Sequence, residues 1–238
     1  VKETVGTVAG MQYDTNTYTL TITVVNNSGK FEVKSATIGE TDMKNRGPLT
    51  ITNTFTAATL PLDPPKDPDG SVTGEGKVVK VMTGETREGS MTFTAKMTGD
   101  SFTGTKTATA TVAANADRAS FDGFGTLVFT KADTYTYEIK EEAGNDAGVS
   151  YDGHTYTLTV VVTADGDELK ITSATYTDND TVAAGTALPV TITNRYTKPA
   201  YKIEKNVITD TDVKIPGWSF EYPVDGKIVV DADTDTIR

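Results

Sequence analysis

Along much of this chain apolar and polar residues alternate one for one. "TYTLTITVV" (17–25), "SMTFTAKM" (90–97), "TKTATATVA" (105–113) and "TYTYEIKE" (134–141) all keep a period of two. That period is the mark of a strand with one buried face, and no stretch has the 3.6-residue period of a long amphipathic helix. Gly, Asp, Asn and Pro break the runs every eight to twelve residues or so, which predicts short strands joined by turns in an all-β sandwich. Two runs break the pattern. "PLTITNTFT" (48–56) and "PVTITNRYT" (189–197) each place an asparagine where an apolar residue belongs.

Successive side chains of a strand point to opposite faces. Val190, Ile192, Asn194 and Tyr196 therefore share one face, as do Leu49, Ile51, Asn53 and Phe55. Both amides fall on the core side. A buried amide costs a few kcal/mol unless it is hydrogen-bonded. Each is either a satisfied structural group or a reactant, and the segment alone leaves both open.

The doubled phrase belongs to a longer repeat. "KETVGTVAGMQYDTNTYTLTITVV" (2–25) aligns with "KEEAGNDAGVSYDGHTYTLTVVV" (140–162), at an offset of 138 that grows to 141 at the two Asn strands. The extra residues fall in the loop around 177–188. A Pro/Asp/Gly-rich stretch, "LPLDPPKDPDGSVTGEG" (60–76), separates the copies and is expected to be a semi-rigid linker. A further start, "YKIEKNVIT" (201–209), resembles 76–84 and places Lys205 over Lys80. The expected organisation is the C-terminal part of one module over 1–57, a linker over 58–75, a complete module over 76–197 and the start of a third over 198–238.

Composition removes several functions. The net charge is −11 over 238 residues, against the Lys/Arg clusters that nucleic acid demands. There is no cysteine, hence no thiol catalysis, disulfide or Cys-ligated zinc. The single His154, in the turn "YDGHTY", argues against a His-based triad or metal cluster. The apolar run "LTVVV" is far too short to enter a membrane. No cofactor motif is present.

The same alternation turns three polar residues inward. Lys80 shares a face with Val78 and Met82, and Glu141 with Tyr137 and Ile139, while Asn194 closes the set. "KVMTG" (80–84), "YTYEIKE" (135–141), "YDGHTYTLTVVV" and "ITNRY" (192–196) together resemble the Gram-positive pilin isopeptide-linkage domain of streptococcal-type major pilins and long surface adhesins. The likeness spans 76–197 fully and 1–57 in part; 201–238 is a weaker match. It implies tandem Ig-like β-sandwich modules with internal Lys–Asn cross-links. Residue by residue it implies Lys80 as nucleophile, Asn194 as electrophile and Glu141 as proton shuttle. Glu3, Asn53 and Lys205 are the equivalents in the incomplete modules. Lys77 is a rival nucleophile on the opposite face. Burial suits the chemistry, since it favours a neutral amine and a protonated carboxyl able to bond the Asn carbonyl. Such a reaction happens once per molecule and makes the chain no turnover enzyme.

The resemblance implies an extracellular, cell-wall or pilus location, with neighbouring modules or subunits of the same fibre as partners. The alternatives are an adhesin module recognising a host glycan or protein, and a carbohydrate-active sandwich, which would need paired acids in an aromatic cleft. The head (Glu3, Asn53) and the tail (Lys205) belong either to separate neighbouring modules, the favoured reading, or to a site completed between subunits. Weaker signals have plain explanations. "LPVTI" (188–192) has Ile where a sorting signal needs Gly. "DND" (178–180) and "DADTD" (231–235) lack the glycine and spacing of a calcium loop, and Trp218 suits core packing.

Overall fold

The computed structural model describes residues 1–38, 41–42, 49–178 and 182–204, and the short strands Val207–Ile208, Lys214–Ile215, Ser219–Pro223, Val230–Asp231 and Thr236–Ile237. Every regular element among them is a β-strand, so the fold is all-β. Two sheets build the central sandwich. One has four strands in the order Arg118–Ser120, Val78–Gly84, Val190–Tyr196, Val149–Ser150. The other has six, in the order Thr186–Ala187, Glu168–Thr177, Thr155–Asp165, Asp133–Glu141, Met91–Gly99, Lys106–Val112.

The inward sets are those that the alternation selects. Phe93, Ala95 and Met97 are buried from one strand, Tyr137 and Ile139 from the next, and Tyr156, Leu158, Val160 and Val162 from the third. They meet Val78, Met82, Val190 and Ile192 of the smaller sheet in one core. Each fully buried aliphatic or aromatic side chain contributes roughly 1.5–3 kcal/mol.

Val78–Gly84, which opens the two sheets, and Val190–Tyr196, which closes them, lie side by side and parallel. Lys80 is opposite Ile192, and Met82 is opposite Asn194. Glycine ends the opening strand for a steric reason. Gly84 has φ +93°, and a Cβ there would come within 2.2 Å of the Tyr196 carbonyl oxygen.

The Pro/Asp/Gly-rich stretch is more than the expected spacer. Ala58–Pro61 pairs with Thr126–Phe129, Ala58 and Leu62 are buried in the core, and Lys77 donates its backbone N–H to the Leu62 carbonyl. The apolar phrase "ATLPL" wins a place in the sandwich, and its proline is tolerated because the ladder is short and open on one side.

The head repeats the local plan without the core. Leu20–Asn27 and Lys30–Ile38 form an antiparallel hairpin with an irregularity at Thr23/Val24. The corresponding hairpin of the sandwich has its own at Val161/Val162. In the tail, Ala200–Glu204 pairs with Ser219–Pro223. Lys205 and Trp218 lie outside the described residues, as do most of the two acidic stretches.

Candidate functional site: a buried Lys–Glu–Asn cluster

Lys80 stands third on the opening strand, Asn194 third from the end of the closing strand, and Glu141 at the end of a strand of the facing sheet. Parallel pairing sets Lys80 and Asn194 diagonally on the core face, and the sandwich brings Glu141 to them. Lys80 and Asn194 have no exposed surface and Glu141 has 3%. Lys77, the rival amine, is exposed.

One carboxylate oxygen stands between the other two groups. Glu141 Oε1 is 2.7 Å from Lys80 Nζ and accepts from Asn194 Nδ2 at 3.3 Å. Glu141 Oε2 has no hydrogen-bond partner, and Lys80 Nζ has none of good geometry. The amine also lies 4.8 Å from the centre of the Phe93 ring. An ion pair removed this far from water is costly. Burial pulls the Lys80 pKa down from 10.5 to about 8, against the opposing pull of Glu141. Burial likewise raises that of Glu141, with Lys80 opposing. Both shifts favour moving the proton from the ammonium to the carboxylate. Such a transfer would leave a neutral amine beside a protonated carboxyl.

The other side of the amide departs from expectation. The Asn194 carbonyl oxygen does not face Glu141 but accepts from the backbone N–H of Asp152 at 2.8 Å. The partners dictate this orientation, because an amide NH₂ faces a carboxylate and an amide oxygen faces an N–H. Asp152, itself buried, is held by the Tyr156 hydroxyl and by the backbone N–H groups of His154 and Thr193. Sequence reasoning missed Asp152, Tyr156 and Phe93. The signal for the first two was the repeated Asp-x-x-x-Tyr of "YDGHTY" and "YDTNTY".

The head brings its own pair together. Asn53 Nδ2 donates to Glu3 Oε1 at 2.7 Å, and Asn53 Oδ1 accepts from Asp14 N at 2.9 Å. Here the pair is not enclosed: Asn53 is exposed and Glu3 half-buried.

A buried amine, carboxyl and carboxamide thus meet where the opening and closing strands of one β-sandwich face the other sheet. The profile of the FctA family, the Spy0128-like isopeptide containing domain, matches residues 76–197, and the chain belongs to that family. The span coincides with the central sandwich. The structure of the major pilin protein (T-13) from Streptococcus pyogenes serotype GAS131465 aligns with 70% of this chain and 75% of its own, at 16% identity and a TM-score of 0.39. No curated protein matches the chain. No helix among the described residues is long and apolar enough to cross a membrane.

Proposed function

We propose that Lys80 and Asn194 join in an intramolecular isopeptide bond with Glu141 as proton shuttle, and that the cross-linked sandwich is a load-bearing subunit or stalk module of a Gram-positive surface pilus or adhesin. The observation that carries this reading is the shared oxygen: Glu141 Oε1 contacts both the nucleophilic nitrogen and the leaving nitrogen inside a dry core. Glu141 takes the proton of the Lys80 ammonium, and the free Nζ attacks Asn194 Cγ. A proton passes through the same carboxyl to Nδ2, the Cγ–Nδ2 bond breaks, and ammonia leaves. Positioning does much of the work, since well-oriented intramolecular groups reach effective molarities of roughly 10⁵ M or more.

The mechanical consequence follows from where the two residues sit. Lys80 is close to the start of the opening strand and Asn194 close to the end of the closing strand. Tension applied at the two ends of the module enters at Lys80, crosses the new amide and leaves at Asn194. The chain between them carries little load. Closing a loop of about a hundred residues also contributes on the order of 4–5 kcal/mol by the chain-entropy account used for disulfides.

Intact mass spectrometry tests the reading. The protein is expected to be one ammonia lighter than its sequence, with Lys80 and Asn194 peptides joined after digestion and the full mass restored by Lys80→Ala. A wild-type mass equal to that of the sequence would overturn it.

A further inference from the structure

We propose that the turn at Asp152 is the oxyanion hole of this reaction: the Asp152 backbone N–H stabilises the charge developing on Asn194 Oδ1, and the Asp152 carboxylate is the positioning group that aims it. This rests on the isopeptide reading and assigns a role that the Lys–Glu–Asn set leaves unfilled. When Nζ attacks Cγ, the new C–N bond pushes an electron pair onto Oδ1, and the tetrahedral intermediate is an alkoxide until Nδ2 departs. Glu141 is occupied with the two nitrogens, so the charge needs a donor elsewhere. The Asp152 N–H is 2.8 Å from that oxygen in the ground state. A fixed backbone donor in a water-free site is the usual means of supplying such stabilisation.

The carboxylate holds this donor through four contacts. Oδ1 accepts from the His154 N–H at 2.9 Å and lies 2.6 Å from His154 Nδ1. Oδ2 accepts from the Tyr156 hydroxyl at 2.6 Å and from the Thr193 N–H at 3.0 Å. Thr193 immediately precedes Asn194, so one side chain ties the donor's turn to the strand that carries the acceptor. Both carboxylate oxygens are thus taken up by other donors, while the backbone N–H of Asp152 is directed at Asn194 Oδ1. Burial alone would raise the Asp152 pKa, but the bonds from Tyr156, His154 and Thr193 outweigh it and hold the group ionised.

The head supplies a second, independent instance. Asp14 N donates to Asn53 Oδ1 at 2.9 Å, Asn16 N to Asp14 Oδ1 at 2.8 Å, and Tyr18 Oη to Asp14 Oδ2 at 2.5 Å. Three of the bonds recur, at a site where Glu3 has no lysine partner among the described residues. The turn thus forms without an amine beside it, which is what preorganisation requires.

The test follows ammonia loss by intact mass after the full chain, recovered unreacted from inclusion bodies, is refolded. Asp152→Ala keeps the N–H but frees the turn, and should slow bond formation about 10²-fold, the effect of losing one oxyanion donor. Asp152→Asn keeps an acceptor oxygen and should restore most of the rate. Tyr156→Phe removes one support and should slow the reaction by a smaller factor. A spectroscopic readout separates aim from folding. In a Glu141→Gln chain, which cannot shuttle protons, the carbon-13 signal of the Asn194 carboxamide should move upfield when Asp152→Ala is added, as its carbonyl loses the donor. Wild-type rates in folded Asp152→Ala and Tyr156→Phe would overturn the proposal and leave the isopeptide reading standing. If Asp152→Ala does not fold, the rate of Tyr156→Phe and the carbon-13 signal of Tyr156→Phe in the Glu141→Gln chain decide alone. A wild-type chain that never loses ammonia would remove both.

Discussion

In the head, Asn53 bridges Glu3 and the Asp14 turn in the open; in the sandwich, Asn194 bridges Glu141 and the Asp152 turn with no exposed surface of its own. The bonding is the same, and so is the hairpin beside it. What differs is the covering. Leu20, Ile22 and Val24 are 44%, 52% and 52% exposed, whereas their counterparts Leu158, Val160 and Val162 are at most 2% exposed. The acid–amide–turn unit therefore forms without a covering core, although its members lie 39 and 50 residues apart in the chain. Desolvation, which the proposed reaction needs, comes from the opening strand and the strands that close the core over it. The head shows the same need in one atom: Glu3 Oε2 is buried without a hydrogen-bond partner, at the carboxylate that in the sandwich meets Lys80.

The largest expected difference between the two sites is in stability. Asn194→Ala removes the electrophile of the proposed cross-link and should lower the unfolding free energy of the sandwich by on the order of 4–5 kcal/mol. Asn53→Ala should change it by no more than about 0.5 kcal/mol, as expected of an exposed position. Denaturant unfolding of both variants checks this, and equal losses would mean that the central site makes no bond. Glu141→Ala comes next. The fold should persist while the mass stays that of the full sequence, with a lower Tm and faster cleavage by trypsin than wild type. Glu3→Ala should leave the wild-type ammonia loss intact.

Much of this arrangement was legible in the chain because strands carry a period of two. The inward positions of Lys80, Glu141 and Asn194 follow from alternation alone, and the repeat locates Glu3 and Asn53. Other features were hidden for identifiable reasons. Asp152 acts through its main chain and sits in a turn, where aspartate is ordinary. Phe93 is one of many inward apolar residues, and only the packing of the two sheets selects it to face the amine. The strand at Ala58–Pro61 was masked by the prolines and aspartates that follow it. The parallel pairing of the opening and closing strands is a long-range contact that no local pattern records.

The response to pH sharpens the role of burial. Transfer of the proton from Lys80 to Glu141 leaves the net charge of the pair unchanged, so the rate should be flat while the pair as a whole holds one proton. Below the raised pKa of Glu141 a second proton binds, the amine stays an ammonium and the carboxylate can no longer take its proton. Bond formation should therefore fall as pH drops through that value, which burial places above that of an ordinary exposed carboxylate. Above about 8 the pair loses its proton, leaving an amine that attacks and a carboxylate unable to donate. Refolding the unreacted chain over a pH series, with mass as the readout, should give a plateau with a fall on the acid side and a second fall above about pH 8. A fall confined to the range of an ordinary exposed carboxylate, about pH 4, would place Glu141 in water rather than in a dry core.

The smallest effect separates desolvation from the aromatic ring itself. The Phe93 face lies 4.8 Å from Lys80 Nζ and so favours the charged ammonium, an interaction worth about 0.5–2 kcal/mol. Phe93→Leu keeps the site apolar but withdraws that support. The Lys80 pKa should then fall further below 8, and the share of neutral amine at pH 7 should rise. Global stability should drop by about 1 kcal/mol from poorer packing, in the range of near-conservative core swaps. The variant is thus expected to be slightly less stable yet to cross-link as fast as wild type or up to several-fold faster at neutral pH. A folded Phe93→Leu chain that cross-links more slowly would show that the ring positions the amine for attack, and the geometric contribution would then outweigh the electrostatic one.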